Sequence, residues 1–324
     1  MAGSRRRLAP SSFVAFALVT AVVGSATAGD TVYQRAAPVK VEVTISERAR
    51  PPRPKVTAAP PPLAADDVLA IRGKVVPIHK QQIELYKQLI ETTPASDVNE
   101  LADAHFRLAD LYLQDNRYHR LKATEAAIAA DQARGADRAT LARQAKAHGA
   151  EAAAELREAL AVFAALAADA RFRSYPRMDE ALFGFGFALA QGGDGAQARV
   201  IYHRLLEDYP QSRYVPDAYL AFADYYYGVD ELDNAAVFYQ KVLQFPQAAM
   251  FDYANYRLGW VYLNQRRPED AGRQFAQVVR DTAGDAAQTT LHAAAANDFV
   301  RAFAEFGQVG KAWAAFAKLD EQIG

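Results

Sequence analysis

Apolar and small residues recur along the second half of the chain with helical spacing and at a fixed long interval. One series of small residues has intervals of 37 and 36 positions and consists of Gly186, Ala223 and Gly259. A second series has the same intervals and consists of Ala198, Ala235 and Ala271. Bulky apolar residues lie three and four positions away, as on one face of an α-helix. Self-similarity at this period predicts an array of one repeated helical unit.

Each unit is divided by a short turn-forming segment. Glycine, aspartate, asparagine or proline marks these segments at 192–195, 228–230 and 264–268. The flanking stretches are each long enough for one helix, so each unit is predicted to be an antiparallel helical hairpin. We expect the small residues of its two helices to meet and bring the backbones together. One hairpin cannot bury its apolar faces alone, so neighbouring hairpins are expected to stack.

This pattern resembles the tetratricopeptide repeat family, whose units of about 34 residues alternate small and bulky positions in this way. The linker Tyr209-Pro210-Gln211-Ser212 resembles the repeats of bacterial envelope proteins of the barrel-assembly, Tol-linked division-coordinator and gliding-motility types. The resemblance implies an all-α fold, a right-handed superhelical stack of helical hairpins, or α-solenoid. It also implies a protein that binds other proteins.

The repeats divide the chain from residue 66 to 324 into clear and degenerate units. Clear repeats are predicted at about 178–214, 215–250 and 251–285. Degenerate units are predicted at 66–96, 97–177 and 286–324. The second degenerate unit contains a helical insertion, which we expect to break near Gly135 and near Gly149.

The first 28 residues have the pattern of a secretory signal peptide. Three arginines at 5–7 precede an apolar run at 13–24, and Ala26-Thr27-Ala28 fits the cleavage rule. An uncleaved anchor is the alternative, but the run is short for a membrane span. The expected location is therefore the periplasm of a Gram-negative cell, or the periplasmic side of the outer membrane. No stable membrane span is expected after cleavage.

Residues 29–65 are predicted to be a proline-rich, basic, disordered tether. Seven prolines disfavour a helix and favour extended polyproline geometry. Residues 39–45 alternate apolar and polar side chains, which leaves open a strand that adds to the edge of a partner's sheet.

Charge and motif content argue against several classes of function. The net charge of −1 provides no basic field for nucleic acid, and the chain has no cysteine. The six histidines form no H-x-x-x-H or H-E-x-x-H pattern, and no serine lies in G-x-S-x-G. The sequence therefore predicts no enzyme, no cofactor and no metal site.

The first helix of each unit carries more bulky residues than packing within one hairpin requires. Residues three and four apart share a helix face, and one such face differs from the core positions. We predict that this face lines a concave groove that binds a partner segment. The predicted groove residues are Phe106, Asp110, Phe183, Phe187, Asp224, Tyr227, Tyr256, Trp260 and Asn264. The alternative is that these side chains pack against adjacent hairpins.

Together these features predict a periplasmic scaffold or adaptor that binds envelope proteins in a cell-envelope complex. The alternative is a peptidoglycan-associated accessory module of cell-wall synthesis or hydrolysis, in which the basic tether contacts the anionic wall.

Overall fold

A computed structural model describes residues 65–307, and their side chains from residue 69 onward. This part of the chain contains ten α-helices, two short 3-10 helices and no strand, so the predicted all-α fold is confirmed. The α-helices are α1 (Ala65–Thr92), α2 (Val98–Gln132), α3 (Gly135–Ala168), α4 (Met178–Gln191), α5 (Gly195–Asp208), α6 (Val215–Gly228), α7 (Leu232–Val242), α8 (Phe251–Asn264), α9 (Pro268–Asp281) and α10 (Thr289–Phe306). The 3-10 helices span Ala170–Ser174 and Ala286–Gln288.

The helices pack in the order of the chain. α4 with α5, α6 with α7, and α8 with α9 form hairpins, and each hairpin contacts the next one along the chain. α2 and α3 form a longer hairpin, α1 packs on α2, and α10 packs on α9. Contacts between neighbours in sequence are the hallmark of a solenoid of stacked repeats.

The closest approach within a hairpin joins a glycine of the first helix to an aromatic ring of the second. A Cβ atom on Gly186 would lie 2.5 Å from Cε1 of Tyr202, and one on Gly259 would lie 2.6 Å from Cε1 of Phe275. The sequence predicts contact between small residues of both helices, with aromatic residues one turn along filling the space around it. In the structure the aromatic ring, four residues after the small residue of the second helix, occupies the space that the missing side chain leaves. The contact between the small residues themselves stays a prediction.

The turn inside each repeat has the same backbone geometry. Gly193, Asp230 and Arg266 have φ values of 89°, 67° and 61°, in the left-handed region. The amide of the following residue bonds back to a carbonyl near the end of the first helix, for example from Asp194 to Leu189 at 2.9 Å. This is the 6→1 bond of a helix end that closes on a left-handed residue. A left-handed residue recurs at intervals of 37 and 36 positions, and it ends the first helix of each repeat in the same way.

The N-terminal hairpin is longer than the others because of the inserted residues. Only residues 133 and 134 separate α2 from α3, and Gly135 begins α3 with a φ of 61°. The predicted second break at Gly149 is wrong, because α3 continues through it. A single glycine weakens a helix by about 1 kcal/mol, which a long packed helix tolerates.

Several predictions lie outside the described residues. These are the signal peptide at 1–28, the tether predicted at 29–65 except for its last residue, and the helix expected after residue 307 as the partner of α10. Ala65, the last residue of the predicted tether, begins α1. Within the described part, no helix is long and apolar enough to cross a membrane.

The glycine–ring contact predicts opposite effects for two glycine-to-alanine substitutions. Gly259→Ala forces its Cβ into the Phe275 ring, so we expect a loss of about 1–3 kcal/mol of unfolding free energy. Gly149→Ala is the matched control, because its Cβ meets no atom within 4 Å on an exposed stretch of helix. It should gain about 0.5–1 kcal/mol. Urea unfolding followed by far-UV circular dichroism measures both, and equal effects would contradict the packing described.

Candidate partner-binding face

Polar bonds connect the first helices of successive hairpins. The Asn264 side chain of α8 donates from Nδ2 to Oη of Tyr227 on α6 at 3.2 Å. Gln191 at the end of α4 donates from Nε2 to Oδ1 of Asn116 on α2 at 2.5 Å. Gln191 and Asn264 occupy the same position in their repeats. We call the first helices α2, α4, α6 and α8 the first-helix layer; within it, polar side chains join α2 to α4 and α6 to α8.

The most densely bonded group in this layer lies between α6 and α8. We call Asp224, Tyr227, Arg257 and Asn264 the inner-face cluster. Nε of Arg257 lies 3.5 Å from Oδ1 of Asp224, and the guanidinium carbon is 4.2 Å from the centre of the Tyr227 ring. A cation over an aromatic face is attracted by the ring quadrupole. The cluster thus presents a charged pair fixed against an aromatic ring.

A buried tyrosine holds the charged pair in position from below. Oη of Tyr239 on α7 donates to Oδ1 of Asp224 and accepts a bond from Nε of Arg257 at 3.1 Å. The Tyr239 residue is fully buried, whereas the Asp224 side chain is 37% exposed. Tyr253 borders this group, and its burial raises the pKa of its hydroxyl to about 12, with a further contribution from Asp224. Burial raises the pKa of the Asp224 carboxyl, which Arg257 and Tyr239 lower in part, so this group is only partly open to solvent while its orientation is fixed.

On α4 the two predicted phenylalanines differ in exposure. Phe183 is half-buried and stacks on Tyr214, with ring centres 4.9 Å apart. Phe187 is 41% exposed and occupies the repeat position that Asp224 occupies on α6. Phe187 is therefore the most exposed large apolar side chain of α4, α6 and α8.

Two of the predicted groove residues are sealed inside the protein. Trp260 is 0% exposed and Tyr256 is 2% exposed. Both donate to Oδ2 of Asp298 on α10, Tyr256 at 2.7 Å and Trp260 at 3.1 Å. Their prediction as open groove contacts is wrong, because α10 covers this face of α8 and supplies one buried acceptor for both side chains.

On α2, one of the two predicted groove residues is also buried. Phe106 on α2 is buried, with its ring near Tyr175 and the Arg177 guanidinium carbon 4.2 Å from its centre. Asp110 remains half-buried and accepts a bond from Gln114 at 2.9 Å. Phe106 is thus a packing residue, whereas the predicted role of Asp110 stays a prediction.

Sequence reasoning missed Arg257, the residue that organises the inner-face cluster. The half-buried side of α8 carries Tyr253, Arg257 and Asn264, whose spacing of four and seven puts them on one face. The predicted face began at Tyr256, only three positions from Tyr253. The spacing of four residues between Tyr253 and Arg257 was the available signal for this face. The prediction weighed aromatic residues alone and therefore chose the neighbouring face, which carries Tyr256 and Trp260.

The described residues show no arrangement of three or more histidine, aspartate or glutamate side chains that could hold a metal ion. Half-buried Asp217 lies at the start of α6, where burial raises the pKa of its carboxyl. The geometry of this layer is suited to non-covalent contact through a ring, a charged pair and amide groups.

Comparison with known proteins identifies the type of hairpin. Residues 180–212 match the tetratricopeptide repeat family. The matched segment comprises most of α4, all of α5 and the start of the following linker. No curated protein matches the chain. The tetratricopeptide match supports a protein–protein interaction module, a fold that typically acts as a non-catalytic scaffold.

The shared acceptor on α10 predicts a large effect of one substitution. Asp298→Ala leaves the donors of Tyr256 and Trp260 without this buried carboxylate, so we expect a loss of about 2–4 kcal/mol. The sequence has two tryptophans, so replacing the other one (Trp313→Phe) leaves Trp260 as the only source of tryptophan fluorescence. In that background the emission of Trp260 should move to longer wavelength as water reaches the ring. Exposed Glu305→Ala on the same helix is the control. Wild-type stability and emission in Asp298→Ala would show that α10 does not seal α8.

Proposed function

We propose that this protein is a periplasmic scaffold of a cell-envelope complex, and that its first-helix layer binds a segment of a partner protein. The observation that carries the proposal is the accessible group of Phe187 on α4 and the inner-face cluster between α6 and α8. The hairpin that matches the tetratricopeptide repeat lies at one end of this surface, and such a repeat suggests a protein–protein interaction module.

The chemistry of the surface favours a short peptide segment with mixed character. An exposed ring such as Phe187 offers a contact for an apolar side chain, and aromatic residues often dominate binding energy. Asp224 and Arg257 offer one acceptor group and one donor group, already oriented by Tyr239. Oriented polar groups lose little conformational entropy on binding, so they contribute mainly to specificity.

The periplasmic part of the proposal rests on the first 28 residues. The three arginines, the apolar run and Ala26-Thr27-Ala28 have the order of a cleavable export signal. Cleavage there would give a mature protein that begins at Gly29. Envelope proteins would then be the available partners.

Site-specific photocrosslinking in a Gram-negative cell tests the binding surface. A photoreactive phenylalanine analogue at Phe187 should give a discrete adduct with a partner protein. The same analogue at Val200, which is 58% exposed on the second helix α5, is the control and should give none.

Substitution of Trp260 by alanine is unsuitable as a test of binding, because it would open a cavity in the core.

A second substitution tests the charged pair without removing the ring. Asp224→Asn keeps the shape but removes the charge, so the adduct from position 187 should weaken several-fold. Equal adducts from positions 187 and 200, or an adduct that Asp224→Asn leaves unchanged, would contradict the proposed surface.

Fractionation tests the location separately. Osmotic shock should release the protein, and mass spectrometry should find Gly29 at its N-terminus. Protein that stays in the cytoplasm with residues 1–28 intact would contradict the periplasmic assignment, while leaving the binding surface open to the crosslinking test.

A further inference from the structure

The N-terminal three helices enclose a group of ionisable side chains that the partner-binding face does not involve. Three histidines and two acids belong to it: His79 on α1, Asp115 and His119 on α2, and His148 and Glu155 on α3. Lys80 of α1 and Glu151 of α3 also act on His119 and Glu155 through their charges. We call the first five residues the histidine–acid cluster. It joins all three helices, so its charge state bears on their packing.

The distances place ionisable groups of the cluster close together, and two of its histidines share one hydrogen bond. Nδ1 of His119 lies 2.9 Å from Nδ1 of His148, so one ring must donate and the other must accept. On the opposite side of the same ring, Nε2 of His119 is 3.5 Å from Oε1 of Glu155. The side chains of His119 and Glu155 are only 10% and 12% exposed. Full ionisation of every group would therefore place like charges in contact away from water.

Two atoms of the cluster are buried without a hydrogen-bond partner among the described residues. They are Nε2 of His119 and Oε2 of Glu155. A buried carboxylate is strongly disfavoured unless it is paired and hydrogen-bonded. Asp115 and Glu151 disfavour a negative charge on Glu155 further, and the lysine at position 80 offsets this only in part. The arrangement is thus compatible with a protonated Glu155 and unfavourable for an ionised one.

The histidine–acid cluster also connects α1 to the rest of the fold. His79 Nδ1 on α1 lies 2.6 Å from Oδ1 of buried Asp115 on α2. Beside this contact, Ile83 of α1 packs in a small core with Leu111 and Tyr112 of α2. This core is much smaller than those of the later repeats. The attachment of α1 therefore depends more on polar contacts than the packing of the later helices does.

We propose that the histidine–acid cluster is a proton-dependent clasp, which holds α1 and α3 against α2 while Glu155 is protonated and loosens them as rising pH removes that proton.

The sign of the effect follows from the two states of Glu155. Burial, with Asp115 and Glu151, raises the pKa of its carboxyl from 4.5 to about 8. When α1 and α3 separate from α2, the Glu155 carboxyl becomes exposed and its pKa returns to 4.5. At any pH between 4.5 and about 8 this opening of the helices therefore releases a proton. Opening is therefore favoured progressively as the pH rises from 4.5 to about 8, and changes no further above that.

His119 has the opposite effect, in a different range of pH. Burial and the neighbouring His148 lower the pKa of His119 from 6.5, so opening takes up a proton when the pH falls below that value. Below pH 6.5 the two contributions oppose each other. Above pH 6.5 the His119 contribution fades while the Glu155 contribution continues up to about pH 8, so this interval separates the two.

Amide hydrogen exchange of the full chain tests the clasp. After correction for intrinsic exchange, protection of α1 and α3 in the wild-type protein should fall by up to about tenfold per pH unit between pH 6.5 and 8. Protection of α8 and α9 should stay constant as an internal reference. In Glu155→Gln, which cannot ionise, protection of α1 and α3 should not change over this interval. Exposed Glu158→Gln on the same helix is the matched control and should behave as the wild type.

Two outcomes would overturn the proposal. One is an equal dependence on pH in wild type and Glu155→Gln. The other is a wild-type α1 whose protection does not change with pH. If Glu155→Gln does not fold, the test uses the wild-type protein instead. Carbon NMR then follows the titration of each glutamate carboxyl group with pH. One carboxyl should titrate near pH 8, and titration of every glutamate below pH 6 would reject the clasp.

Discussion

The repeats depend on the contact between an aromatic ring of the second helix and a residue with little or no side chain on the first. At Gly186 and Gly259 no Cβ atom can be accommodated, because Tyr202 and Phe275 occupy that space. The ring buries a large apolar area and fixes the distance between the two helices at once. Every other feature of the first-helix layer, including the direction in which its remaining side chains point, depends on that distance.

The period of the small residues made the hairpins predictable, because this contact requires a small residue at a fixed place in every unit. The exposure of the aromatic residues was not predictable in the same way. Spacing of three or four residues shows that Tyr256 and Trp260 share a helix face, but not what lies on that face. The covering group, Asp298, is 42 and 38 residues away and belongs to a unit with weak repeat signals. Phe187 has no such cover in the described residues, although its sequence pattern is similar.

Polar side chains fix neighbouring repeats to one another at an interval close to one unit. Ser212 donates to Asp179 at 2.6 Å, Gln265 to Asp233 at 2.8 Å, and Gln288 to Asp252 at 3.0 Å. Such bonds contribute modestly each, about 1 kcal/mol, but they are directional. Apolar stacking alone would permit small rotations between hairpins. The bonds restrict those rotations, which keeps Asp224 of one repeat in register with Arg257 of the next.

Both ends of the described chain bury polar side chains, but the apolar core beside them is much larger in the later repeats. From α4 to α10 the buried side chains are mainly apolar or aromatic, and the buried acid Asp298 is bonded to Tyr256 and Trp260 beside a large apolar core. Between α1 and α3 the buried set includes Asp115, Asn116 and His119, and the apolar core beside them is small. Hydrogen-bonded buried groups stabilise a structure only in one charge state, whereas an apolar core is insensitive to pH. A change of pH that leaves the later repeats intact will therefore act first on the N-terminal helices. The partner-binding face proposed on α4, α6 and α8 contains a titratable group of its own, because burial raises the pKa of the Asp224 carboxyl, and this group is separate from the histidine–acid cluster.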